Sequence, residues 1–189
     1  MAQPSLRAIT VAMALGCSTL VGCNAPSAQT DPALASLLAE LRLAETPAAA
    51  AALEEQVWAH WAQSGSATVD VLLERAASAE AAGDRGLARA FLEQASNLAP
   101  EFAEPWHRRA ALAYEDQDYA AAIRAIEETL KREPNHFAAY AGLGVIYEEM
   151  GQEAAALAAY EAALAINPHL VSARQGAQRL AARLTGSEA

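Results

Sequence analysis

Apolar and polar positions follow two regimes along this chain. From Ala8 to Val21, fourteen apolar or small residues (AITVAMALGCSTLV) run without a charge. Further on, charges interrupt the apolar positions at helical intervals. Leu53, Val57 and Trp61 recur every fourth residue, as one buried helical stripe would. VSARQGAQRLAARL, from Val171 to Leu184, is amphipathic and offers Arg174, Gln178 and Arg183 to water. The pattern predicts helices over Leu34–Ala44, Pro47–Gln63 and Val171–Leu184. Alanine dominates the apolar content, and β-branched residues are sparse beyond the first twenty positions, so local propensity favours helix over strand. An almost all-α protein is expected.

Between the flanking helices the pattern repeats. Asn97-Leu98-Ala99-Pro100, Arg132-Glu133-Pro134 and Ile166-Asn167-Pro168 place their prolines 34 residues apart, twice over. Blocks of 69–102, 103–136 and 137–170 then fall into register. Ala76, Ala110 and Gly144 share one column; Ala88, Ala122 and Ala156 share a second; Ala95, Thr129 and Ala163 share a third. Columns of small residues let two antiparallel helices approach closely, which would offset the roughly 1 kcal/mol propensity cost of Gly144. Gly151 belongs in a turn, where positive φ is easiest for glycine. Gly142 fits neither role. The prolines end each second helix, because the residue before a proline avoids the helical region.

These columns resemble the tetratricopeptide repeat. The third block is nearest, with Tyr140-x2-Leu143-Gly144-x2-Tyr147, Gly151, Ala156-x3-Tyr160, Ala163-Leu164 and Pro168. The second block departs at Arg109, Ala113 and Gln117, where Leu, Tyr and Gly are preferred; the first departs at Arg75 and Ala79. The resemblance implies an all-α solenoid of three helix hairpins. The segment 33–64 is read as a degenerate hairpin one period above the first block, serving as N-terminal cap although Arg42 and Glu54 occupy its small columns. Residues 171–184 are the C-terminal cap. Trp58 and Trp61 are read as core-filling.

The charge-free run Ala8–Val21 is too short for a permanent transmembrane helix but suits the apolar region of a secretory signal. Leu20-Val21-Gly22-Cys23 resembles the lipobox of bacterial lipoproteins, which implies a signal peptide over 1–22, lipid on Cys23 and a tether over 23–32. Cleavage after Ala28 is the alternative. Ala14-Leu15-Gly16-Cys17 is a poorer match. An outer-membrane lipoprotein facing the periplasm is therefore expected, with membrane contact only through the N-terminal lipid; a soluble periplasmic protein is the other outcome. Either cleavage leaves at most one cysteine, too few for a disulfide framework.

Formal charge is -10, from 13 basic and 23 acidic residues, and no basic cluster offers a footprint for nucleic acid, so that partner is not expected. No pair among His60, His107, His136 and His169 has the spacing that places two imidazoles on one helical face, and His136 and His169 are read as exposed junction residues. No phosphate loop or G-x-S-x-G is present, and Ser64-Gly65-Ser66 reads as a linker. No cofactor, metal or catalytic site is assigned.

In the family resembled, the first helix of each repeat lines a groove that grips a segment of another protein. That implies groove residues Asp70, Leu73, Ala77 and Glu80 in the first block, Glu104, His107, Ala111 and Tyr114 in the second, and Ala138, Ala141, Val145 and Glu148 in the third. The expected partner is a protein or peptide segment with basic and aliphatic residues, the expected role a non-enzymatic adaptor. A structural subunit of an envelope assembly machine is the alternative, and an enzyme with a site around His60 and Glu74 a third reading.

Overall fold

The computed structural model describes residues 31–186, and among them it has nine helices and no strand. They are α1 (Pro32–Leu43), α2 (Pro47–Trp61), α3 (Ala67–Ala81), α4 (Arg85–Leu98), α5 (Glu104–Glu115), α6 (Tyr119–Arg132), α7 (Phe137–Glu149), α8 (Glu153–Ile166) and α9 (Val171–Gly186). The signal segment 1–22, Cys23 and the tether as far as residue 30 lie outside the described residues. No described helix is long and apolar enough to cross a membrane.

Helices α3/α4, α5/α6 and α7/α8 form the three expected hairpins of a solenoid, and all three small-residue columns are buried within them. Each hairpin turn has its pivot in the left-handed region, at Gly83 (φ +77°), Gln117 (φ +60°) and Gly151 (φ +71°), again 34 residues apart. The residue after the pivot caps the second helix. Asp84 accepts a hydrogen bond from the Leu87 amide and Asp118 from the Ala121 amide, each at 2.9 Å, satisfying one orphan donor per helix. Gln152 makes no such bond.

Gly144 lies within the α7–α8 contact as expected, and the ring of Tyr160 fills the space beside it. A Cβ at Gly144 would lie 2.5 Å from Tyr160 Cδ1, and one at Gly176, on α9, 2.5 Å from Cε2. Two glycines thus clasp one buried aromatic ring. The departure at Arg109 is compensated differently: its guanidinium lies 4.4 Å from the centroid of Trp106, which Arg132 approaches at 4.7 Å.

The N-terminal hairpin departs from expectation. Stacked one period above the first block, it would pack on α3 and α4. The apolar cluster of those helices includes instead Leu112 of α5 and no residue of α1 or α2. Leu34, Leu38, Leu41, Val57 and Trp61 pack against Phe137 at the start of α7 and Ile166 at the end of α8. Helix α2 therefore runs along the junctions between blocks, with Trp61 at the α6–α7 junction and Glu54 at the α8–α9 junction, where it accepts a 3.2 Å hydrogen bond from buried Asn167. Arg42 and Glu54 would have put charge into close-packed columns; docked on the junctions, Glu54 has a polar partner. Each large apolar residue buried here contributes about 1.5–3 kcal/mol, which holds the bracket against the later repeats.

Candidate functional site

An apolar pocket of about 200 Å3 opens between α5 and α7, floored by Ala110, Ile126, Ala139 and Ile146. Five of the predicted groove residues line it: His107, Ala111, Tyr114, Ala138 and Val145. Gly142 lines it too. An added Cβ there would meet only Ile126 Cδ1, at 3.5 Å, so this glycine keeps the pocket wide rather than relieving a clash. The ring of Trp58 stands 5.8 Å from that of His107 and brings the bracket hairpin to one end of the pocket.

The remaining predicted residues lie elsewhere. Leu73 is buried among Val69, Leu72, Ala76 and Ala79 in the core of the first hairpin, because it shares their helical stripe, so it is not available to a partner. Asp70 and Ala77 are exposed, and the Asp70 carboxylate accepts a hydrogen bond from Ser64 Oγ. Ala141 packs toward the cluster around Tyr160.

The acidic character expected of the groove is largely compensated from within. Glu80 pairs with Arg108 at 3.1 Å. Glu148 faces Arg179 at 3.1 Å and Arg183 at 3.4 Å from the capping helix, and accepts a 3.2 Å hydrogen bond from the Tyr160 hydroxyl. Burial, reinforced by Glu148, pushes the Tyr160 hydroxyl up to about 12. Glu149, exposed and beside Val145 and Glu148, has no ion-pair partner among the described residues.

At the junction end of the pocket, Glu104 and His107, one turn apart on α5, meet His136. That histidine was expected to be exposed. It is fully buried and caps α7, its Nδ1 accepting from the Ala139 amide at 3.2 Å. Trp61 stacks on its ring at 4.1 Å between centroids, and His107 lies 4.4 Å away. His169 is half-buried. Burial raises the Glu104 carboxyl to about 7, Arg108 opposing and Glu80 adding to the rise. Burial and then Arg108 lower His107 to about 4; burial and then His107 hold His136 well below the ordinary imidazole range. Both rings are therefore neutral near pH 7. A clue to this burial lay in the period: the positions one block away from His136 are Phe102 and Leu170, both large and apolar.

His60 pairs with Asp31 at 3.6 Å, Glu74 is exposed, and no hydrogen bond, ion pair or pocket joins His60 to Glu74 among the described residues.

The profile of the tetratricopeptide repeat matches residues 137–170, the third block as read from its spacing. A TPR repeat-containing protein of Rhizobium etli is 32% identical over 154 residues, covering 82% of this chain and 76% of that protein. This chain is a tetratricopeptide-repeat protein. Among solved structures, MamA resembles it with 25% identity and a TM-score of 0.55 over 59% of this chain and 66% of that one. The first TPR of Spaghetti (RPAP3), bound to the HSP90 peptide SRMEEVD, shares the fold at 17% identity and TM-score 0.59, covering 62% of this chain and 94% of its own. Tetratricopeptide domains mediate protein–protein interaction, and the pocket between the first helices of two successive repeats is where such a fold offers concave surface.

Proposed function

We propose that this tetratricopeptide-repeat protein is a non-enzymatic adaptor that seats an aliphatic side chain of a partner peptide in the α5–α7 pocket, with a neighbouring Lys or Arg of the peptide directed at Glu149. The observation that carries this reading is the pocket itself. Its apolar lining stays open because Gly142 lacks a side chain, and about 200 Å3 compares with roughly 30 Å3 for one water in the liquid. Glu149 supplies charge complementarity at the rim, whereas Glu148 and Glu80 are already neutralised by arginines. The peptide held by the Spaghetti domain supports the mode of binding but not the same ligand, since its acidic sequence would meet Glu149 unfavourably.

The test is photo-crosslinking in cells from position 114, with peptides identified from the adduct. Captured segments should carry an aliphatic residue beside a cation, Gly142→Leu should abolish capture by filling the pocket, and Glu149→Lys should weaken it. Capture that survives Gly142→Leu would refute the pocket assignment.

The same reading places the protein in a bacterial envelope, anchored through Cys23. The support is the sequence LVGC after an apolar run of fourteen residues. Cys23→Ala should move the protein from the membrane to the soluble fraction; a variant that stays bound would refute lipid anchoring.

A further inference from the structure

Where α2 crosses the α6–α7 junction, three metal-ligating side chains converge at the end of the pocket that His107 lines. Glu104 and His107 stand at i and i+3 on α5 and share one face; His136 reaches them from the start of α7. Each offers one ligand atom, and the three atoms lie within 4.8 Å of one another. Bonds of about 2.0–2.2 Å to a tetrahedral ion would set such atoms about 3.4 Å apart, a closure that side-chain rotation can supply.

A second observation points the same way. His136 has no exposed surface, its Nδ1 is engaged by the Ala139 amide, and its Nε2 is buried with no hydrogen-bond partner among the described residues. A buried polar atom left unpaired is costly and calls for a reason. Glu80, which lies close enough to act on Glu104, pairs with Arg108, and its Oε1 is likewise buried without a hydrogen-bond partner.

We infer that Glu104, His107 and His136 form a binding site for one divalent transition-metal ion of the zinc class, with a fourth position left for water or a group of the partner. Two imidazoles and a carboxylate suit such an ion better than magnesium or calcium, which prefer oxygen donors. While Nδ1 accepts from the Ala139 amide the proton of the neutral ring is on Nε2, so coordination through Nε2 moves that proton to Nδ1 and the Ala139 amide gives up its side-chain acceptor when the ion binds. The ion ties α5 to α7, and the stack of Trp61 on His136 carries the event to the bracket hairpin.

The experiment uses the full chain, stripped by chelator and with any free cysteine alkylated, titrated with Zn2+ by calorimetry and with Co2+ by visible absorption. One saturable equivalent is expected, with the d–d bands of a four-coordinate Co2+ site and a change in tryptophan fluorescence. His107→Gln should weaken Zn2+ binding about 100-fold or more, and so should His136→Asn, which keeps a capping side chain but removes the imidazole. Circular dichroism establishes that both variants remain helical. His60→Ala should bind as the unaltered chain does. Absence of saturable binding overturns the inference, as does full affinity in folded His107→Gln and His136→Asn, or loss of binding in His60→Ala alone.

Discussion

Replacing Gly144 by alanine sets a helix-propensity gain against a steric cost, and the structure decides the sign. Alanine is favoured over glycine inside a helix by about 1 kcal/mol. At this position the new Cβ would come within 2.5 Å of Cδ1 and Cε1 of Tyr160 and 2.9 Å of Cγ. The ring has no retreat, because Gly176 already meets its other edge without a Cβ, and the hydroxyl is held by Glu148 at 3.2 Å. Overpacking of this kind costs about 1–3 kcal/mol, and contact below 3.0 Å with a ring fixed on both sides belongs to the upper part of that range. A net loss of roughly 1–2 kcal/mol is expected for Gly144→Ala, read from urea melts followed by circular dichroism. The decisive comparison is the same substitution in a Tyr160→Ala background. There the clash is gone and only propensity remains, so Gly144→Ala should stabilise by about 1 kcal/mol, giving an interaction energy of roughly 2–3 kcal/mol across the cycle. Equal effects in both backgrounds would refute the clasp.

Other expectations follow from the same geometry. Gln117 occupies the left-handed pivot that is glycine in the other two hairpins, so Gln117→Gly should raise stability by about 0.5–1 kcal/mol after the entropy glycine adds to the unfolded chain; an unchanged or lower urea midpoint would contradict this. Gln152→Asp should restore the cap seen at Asp84 and Asp118 and add about 1 kcal/mol, checked by the same melt. Glu54→Ala leaves buried Asn167 without its acceptor and should cost about 1–3 kcal/mol; Glu55→Ala, on the exposed side of α2, should cost little, and equal effects would argue against the docked bracket. Glu104 is raised from 4.5 to about 7, so with chelator present the folded chain takes up this proton first and gains stability as pH falls from about 7 toward 4.5. Glu104→Gln should therefore be more stable than the unaltered chain at pH 8 and lose that advantage by pH 5; a pH-independent difference would contradict the buried carboxyl.

The three hairpins were legible because every interaction defining them lies inside one 34-residue window. Prolines, turn pivots and small columns repeat locally, and the same local physics packs each pair. Placement of the N-terminal hairpin was not legible for the converse reason. Its apolar stripe at Leu53, Val57 and Trp61 establishes that something covers it but not what, and the polar contact that fixes its position joins Glu54 to Asn167 across 113 positions. The charges at Arg42 and Glu54 were visible departures from the small columns. Taken as a steric objection to stacking rather than as degeneracy, they argue against a cap continuing the array.

The same distinction governs the site. Reading the blocks by their resemblance to the family assigns groove positions to each first helix, and it includes Ala111, Tyr114, Ala138 and Val145, which line the pocket because α5 and α7 stack regularly. It misplaced Leu73, where the core stripe of α3 extends to the position assigned to the groove. It also treated the histidines one helix at a time, asking for two imidazoles on one face. The junction assembles its trio differently, one turn of α5 against the first residue before α7, so the relevant spacing is Glu104-x2-His107 followed by a ring in a column otherwise held by Phe102 and Leu170. An apolar column that accepts an imidazole in one block of three marks the place where the array stops being uniform. The bracket hairpin lays both its tryptophans there, so packing, polarity and the end of the apolar pocket meet at a single junction. A substitution at His136 should consequently register at the bracket and at the pocket together, whereas one at Ala95 or Ala163, inside a regular column, should register only in its own hairpin and the helix stacked next to it.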